Sequence, residues 1–253
     1  IGDPYDEDVT PKDFNRVGAQ AAKQAVMQRL RDAERGILYE EFVDKEDEVM
    51  TGLIDRVDHR FVYIQLGRTD AVLSESERIP NEVYRPNERL KVYVNKVEQT
   101  TKGPQIFVSR THPNLLKRLF EKEVPEIYDG TVEIMSVARE AGERSKISVH
   151  AENTDVDAVG SCVGAKGARV EAVVNELSGE KIDIVLWDTD PKVFVRNALS
   201  PSQVVDVQVD EENKSTVVIV PDNQLSLAIG KKGQNARLAA KLTGWKIDIK
   251  SES

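Results

Sequence analysis

The sequence predicts a multidomain α+β protein: a helical N-terminal segment, then a strand-rich segment, then two copies of one α-β-β-α-α-β unit. Three observations carry this prediction. Apolar residues near the N-terminus step by three or four, apolar and polar residues alternate from Thr51 onward, and the second half of the chain repeats itself. With 253 residues, 40% of them apolar and 31% charged, the chain is long enough for several small domains and apolar enough to give each a core.

Residues 1–50 form the helical segment. Thr10-Pro11-Lys12-Asp13 is a capping signature with Pro at the first helical position, and Ala19, Ala22, Val26, Leu30, Ala33 and Ile37 lie along one face. One amphipathic helix cannot bury its own stripe, so this face is expected to pack on the following domain, on an upstream segment or on a partner. A chain opening on Ile1 without an initiator Met suggests a trimmed fragment. The opening "IGDPYDEDV" lacks the basic and apolar regions of a signal peptide, and no apolar run approaches the ~20 residues of a membrane span. The expectation is a soluble, cytoplasmic protein that does not engage membranes.

In "RFVYIQLG", Val62, Ile64 and Leu66 fall on one face of a strand, and Phe61, Tyr63 and Gln65 on the other. The stretch from Gly52 to Arg110 continues with "LSESE", "LKVYVNKV" and "PQIFVSR", and it resembles the five-stranded S1-type OB barrel. Such barrels hold single strands with a basic groove and aromatic faces. The resemblance makes Phe61, Tyr63, Arg60 and Arg110 candidates for RNA contact, with Lys91 and Lys96 as further ones.

The repeat pairs "CVGAKGARVEAVVNELSGEKIDI" from Cys162 with "AIGKKGQNARLAAKLTGWKIDI" from Ala228. A lone GxxG marks little more than a turn between helices. Two of them, Gly164-Ala165-Lys166-Gly167 and Gly230-Lys231-Lys232-Gly233, both followed by a periodic helix and then KIDI, are a specific signal. Upstream, Pro113 and Pro191 each sit where a first helical residue belongs, and paired strand-like runs follow them. The second pair is joined by a turn at Asp210–Lys214. This order resembles the prokaryotic-type (type II) KH domain, whose GxxG loop clamps single-stranded nucleic acid. The glycines let two helices meet sharply and leave backbone amides bare toward phosphate or sugar, and Lys166, Lys231 and Lys232 add charge there. Val163 and Ile229, which directly precede the loops, are expected near bases. Arg169, Gln234, Asn235 and Arg237, at the start of the following helices, complete the candidate set.

The formal charge of −9 argues against a nucleic-acid partner unless the cations cluster, and the loops supply such clusters. Cys162 is the single cysteine, so there is neither a disulfide nor a thiolate metal cluster, and its expected place is a core. His59, His112 and His150 are scattered and are expected to be ordinary surface or strand residues. The acidic stretches "DPYDEDV" and "NTDVDAV" have the look of solvated turns rather than a magnesium site. No catalytic, metal or cofactor site is expected.

The order helix, S1-type barrel, KH, KH resembles the NusA family of bacterial transcription elongation and termination factors. "VTPKDF", "AERGILYEEF", "TTKGPQIFVSRTHP" and "QLSLAIGKKGQNARLAAKLTGWKIDIKSE" carry the likeness. It implies a non-enzymatic, monomeric factor that binds nascent single-stranded RNA and modulates RNA polymerase pausing, termination and antitermination. The family's polymerase-binding domain is longer than the helical part seen here, so polymerase contact is expected to be weakened. The domains expected are 1–50, the end of that N-terminal domain; 51–111, the barrel; 112–187, the first KH domain; and 188–253, the second. Two alternatives account for the order less well. Exoribonucleases with KH and S1-type modules place KH before S1, behind a large catalytic body, and a ribosome-associated RNA-binding protein does not account for the S1-KH-KH order as well. Short joins at Arg110–Pro113 and Trp187–Pro191 predict a rigid track covering about eight or more nucleotides.

Overall fold

The structure, a computed structural model, describes residues 12–253. The first helix, α1, spans Lys12–Val43, so most of the expected Thr10-Pro11 cap and the acidic "DPYDEDV" lie outside the described residues. Only its C-terminal turns meet the next domain: Phe42 is buried and Tyr39 packs beside it against the barrel core. Just before them, Arg35 donates to the Thr101 carbonyl. Of the three surfaces expected to cover the apolar stripe, the barrel is not one: Val26, Leu30 and Ile37 are each more than half accessible. The face that engages the barrel is a different one, set by two aromatics near the helix end.

Five strands follow: β1 (Val49–Val57), β2 (Phe61–Leu66), β3 (Thr69–Ser74), β4 (Arg89–Thr100) and β5 (Gly103–Ser109). They close a barrel in the order β1-β2-β3-β5-β4, with β3 and β5 paired in parallel. Alternation sets the inside: Val62, Ile64, Leu66, Leu73, Val92 and Ile106 are fully buried together. Closure leaves no strand edge to pair elsewhere. "LSESE" ends β3 with its first two residues and forms a single 3₁₀ turn at Glu75–Glu77.

Both halves of the repeat then fold alike. The first unit is α2 (Pro113–Glu123), the short α3 (Pro125–Tyr128), β6 (Glu133–Glu140), β7 (Arg144–His150), α4 (Ala158–Val163), α5 (Ala168–Glu176) and β8 (Lys181–Leu186). The second is α6 (Pro191–Ala198), β9 (Asp206–Asp210), β10 (Ser215–Val220), α7 (Leu225–Ile229), α8 (Gln234–Thr243) and β11 (Lys246–Ser251). Each sheet has its middle strand antiparallel to the strand before it and parallel to the KIDI strand. Pro113 and Pro191 occupy first helical positions behind side-chain caps: His112 accepts from the Asn114 amide, and Asp190 from the Lys192 amide. His112 is therefore no ordinary surface residue, since it also stacks on Tyr93 with ring centroids 4.4 Å apart. Cys162 lies fully buried in the core of the first unit, where burial pushes its thiol up to about 12.

Charged groups lock the joints. Where the barrel meets the first unit, Arg110 donates through Nε and Nη2 to the two Glu82 carboxylate oxygens at 3.0 and 2.6 Å. It also donates to the carbonyls of Lys91 and Glu176. Where the two units meet, Lys146 Nζ bridges Asp183 at 2.9 Å and the Ser200 carbonyl at 2.8 Å, while Ala138 and Val185 of the first unit sit in the core of the second.

Candidate nucleic-acid interface

The two GxxG loops have the same backbone. Gly164 and Gly230 adopt φ/ψ of 77/173° and 80/168°, Lys166 and Lys232 adopt 55/28° and 55/27°, and Gly167 and Gly233 adopt 75/14° and 75/12°. The first pair occupies a region that only glycine tolerates. A Cβ on Gly230 would stand 2.7 Å from the Asn235 amide nitrogen, and one on Gly164 3.0 Å from that of Arg169, so the start of the next helix presses directly on these positions. The second glycine of each loop faces more open space and is required only for its left-handed turn.

This arrangement leaves the starts of α5 and α8 without any side-chain cap. The first amide of each helix, on Ala168 and Gln234, donates to the carbonyl of Ala165 or Lys231, and the amides that follow have no side-chain cap; at the positive end of the helix dipole they form a ready place for a phosphate. Ala165, Lys166, Lys231 and Lys232 are exposed beside them. Among the described residues the three lysines have no ion-pair partner in the structure. The apolar residue before each loop is accessible, Ile229 at 36% and Val163 half-buried, while Leu227 is exposed and Leu225 packs on the second core.

The helix-start candidates have different placements. Asn235 is 2% exposed and its Nδ2 donates to the carbonyls of Leu199 and Ala228, which makes it a strut beneath the loop and corrects its assignment to RNA contact. Its counterpart Arg169 donates to the Ser161 carbonyl and pairs with Glu126 at 2.8 Å. Arg237 pairs with Glu140 at 2.6 Å, and Gln234 donates to Glu140 and Glu143, so both are tied to the β6–β7 hairpin of the first unit. Hydrogen bonding from Arg237 holds the Glu140 carboxyl below its usual range. The Arg110 expectation is also corrected: at 1% exposure, enclosed by Glu82 and Glu176, it is an internal latch. Lys91 lies close to that latch, its amide bonded to Glu176.

On the barrel, cross-strand register lines up Arg56, Tyr63, Val72, Phe107 and Lys96 on β1, β2, β3, β5 and β4. Phe61 meets Tyr63 edge to face at 6.0 Å, and the Arg56 guanidinium lies 4.1 Å from the centre of the Tyr63 ring. Arg60 is exposed at the adjoining turn, where Asp58 accepts from its amide. An aromatic row flanked by cations is what base stacking requires. Arg56 and Phe107 were not anticipated. The alternation of buried Ile106 and Val108 around Phe107 marks Phe107 as outward-facing. A bulge between Ile54 and Arg56 hides the phase of Arg56 from any sequence pattern.

A closed five-stranded barrel with an outward aromatic row, followed by two α-β-β-α-α-β units with twin GxxG loops, defines the class of S1–KH–KH proteins with modular RNA-binding domains. Family models agree module by module: the S1 RNA binding domain over residues 43–109, the NusA-like first KH domain over 110–187, the NusA-like second KH domain over 191–253, and the NusA N-terminal domain over 1–36. The transcription termination/antitermination protein NusA of Bacillus subtilis is 68% identical over all 253 residues, which make up 68% of that protein. That of Halalkalibacterium halodurans is 68% identical over the whole chain and 66% of its own length. That of Thermus thermophilus is 49% identical over 98% of the chain and 64% of its own length. The chain belongs to the NusA family and spans about two thirds of the length of these relatives.

Proposed function

We propose that this chain is a non-enzymatic, monomeric, cytoplasmic factor that grips nascent single-stranded RNA along its barrel and two KH units and so modulates pausing, termination and antitermination by RNA polymerase. The observation that carries the reading is the pair of superposable GxxG loops, each a helix start without a side-chain cap and with unpaired lysines, on units joined by the Lys146–Ser200 hydrogen bond and a shared apolar contact at Ala138 and Val185. Polymerase contact would run through the N-terminal helical segment, and the likeness to transcription termination/antitermination proteins supports the transcriptional role. No group of three metal-ligating side chains occurs among the described residues, and "NTDVDAV" is a capped turn in which Asp157 accepts from the Gly160 amide.

Physically, loop amides and lysines neutralise phosphates, Ile229 and Val163 offer apolar surface to bases, and Phe61, Tyr63 and Phe107 stack further nucleotides. Fixed spacing turns weak sites into one avid track. Each phosphate neutralised on a single strand steepens the salt dependence by about 0.7 in log–log slope. The test is fluorescence anisotropy of a short unstructured RNA at two salt concentrations, with the wild type beside a variant carrying Asp at positions 165, 166, 231 and 232. Salt-sensitive binding that collapses in a folded variant supports the reading; binding that is unchanged moves recognition to the barrel.

A further inference from the structure

The second GxxG loop does not stand alone: it shares a cavity of about 270 Å3 with the first unit, lined by Lys231, Lys232, Gln234, Arg237 and, from the first unit, Glu143. Carboxylates beside a phosphate-binding loop oppose its charge, so their placement asks for a reason other than neutralisation.

The hairpin that supplies them is rigidly built. Glu143 N–H donates to the Glu140 carbonyl across a tight turn, with Gly142 at φ +80°, as a type II turn requires at its third position. A Cβ there would stand 2.8 Å from the Ile79 side chain of the barrel segment, and the Gly142 amide is held by Glu180 at 2.7 Å. The turn is thus wedged between two domains, and its carboxylates are fixed at the loop. Their engagement differs. Both Glu140 oxygens are occupied, one by Arg237 and the other by Gln234. Glu143 makes its one side-chain hydrogen bond, among the described residues, through Oε2 to Gln234 at 3.1 Å, which leaves Oε1 without a partner, and the residue is exposed.

Resting on the proposed RNA-binding role, we infer that this cavity is a base-selecting subsite: Lys231 and Lys232 hold a phosphate while the Glu143 carboxylate accepts from the exocyclic amine of the attached base. A carboxylate is acceptor-only, so it pairs with the amino edges of cytosine, adenine or guanine and is repelled by the O4 carbonyl of uracil. Glu140 positions Gln234 and Arg237 as the walls of the subsite. The discrimination belongs to neither KH unit alone, because the charge comes from the first and the loop from the second.

Cytosine and uracil differ at this edge in the amine-for-carbonyl exchange and the N3 proton that follows from it, so the test compares oligo(C) and oligo(U) 12-mers. Anisotropy titrations of the full chain are run with the wild type, Glu143→Gln and Glu143→Ala; circular dichroism melts confirm that these exposed substitutions leave the fold intact. The wild type is expected to prefer C over U, and Glu143→Gln, whose amide both donates and accepts, to reduce that ratio about fivefold. If Glu143 acts only as a repelling charge, both oligonucleotides tighten together and the ratio stays constant, which overturns the inference while leaving RNA binding in place. Failure of the wild type to bind either oligonucleotide overturns the RNA-track reading itself and this inference with it.

Discussion

The glycines of the second loop give a quantitative contrast within four residues. Gly230→Ala places a Cβ in backbone space that only glycine occupies, at a cost of about 1–3 kcal/mol. It also forces that atom to within 2.7 Å of the Asn235 amide and 2.8 Å of its Cβ. Asn235 cannot yield cheaply, because it is buried and strapped to Leu199 and Ala228. Overpacking of this kind adds about 1–3 kcal/mol, for a mid-range total of about 3–4 kcal/mol. Gly233→Ala meets nothing closer than the flexible end of Arg237 at 3.9 Å and pays only for a left-handed residue, about 1–2 kcal/mol. The two variants should therefore differ by about 2 kcal/mol, or about 4–8 °C in Tm for a body of this size. Thermal melts and urea titrations followed by circular dichroism measure this directly. Equal melting of the two variants, or a milder effect at position 230, would refute the claim that helix contact and backbone region together dictate the first glycine.

Further predictions concern the latch, the barrel face, the loops and pH. Arg110→Met strands the buried Glu82 carboxylate and should cost about 3–5 kcal/mol in urea unfolding, with partial recovery when Glu82→Gln is added, while the folded fraction binds RNA as before. Tyr63→Ala or Phe107→Ala should weaken single-strand binding by about 1–3 kcal/mol without altering its salt slope, because stacking releases no counterions. Replacing both Lys231 and Lys232 with Ala should flatten the salt slope more than Lys166→Ala does, and equal flattening would show that the loops contribute alike. Burial pushes the Asp183 carboxyl up, but Arg144 and Lys146 outweigh it and hold the group below its usual range; Arg110 does the same for Glu82. A depressed carboxylate adds stability above its unfolded-state pKa and loses it as pH falls through the folded-state one. The urea midpoint should accordingly stay level from about pH 7 to about pH 5 and drop below about pH 4.

Local rules made most of the architecture legible. Period-two alternation identified Val62, Ile64 and Leu66 as barrel interior, proline at the first helical position located α2 and α6, and duplicated GxxG and KIDI flanks exposed the repeat. What stayed hidden depends on contacts distant in sequence. Arg110 resembles a solvent-facing cation at the end of a strand until Glu82 and Glu176, 28 and 66 residues away, close over it. Asn235 sits in a loop motif but points into a strut formed with Leu199. The stripe on α1 is periodic, yet periodicity says which residues share a face and not what that face meets.

How an acidic chain accommodates a polyanion follows from where its charges are committed. At the barrel–KH joint Arg110 is matched by Glu82 and Glu176; inside the first unit Arg139 is matched by Glu180 with both side chains fully buried; at the KH–KH joint Lys146 and Arg144 share Asp183. These carboxylates neutralise internal cations and stiffen the joints, so they contribute little field at the surface where a strand would run. Lys166, Lys231 and Lys232 carry no such partner among the described residues, and they stand at helix starts whose dipoles add to their charge. The cations and carboxylates of these clusters cancel and leave the net charge of −9 to other residues, so what a strand meets at the loops is the local charge of the unpaired lysines. Glu143 is the exception, an exposed carboxylate held beside the most cationic loop. A side chain that weakens phosphate binding at that point has a physical rationale if it discriminates among bases, which links the rigidity of the joints to selectivity as well as to avidity.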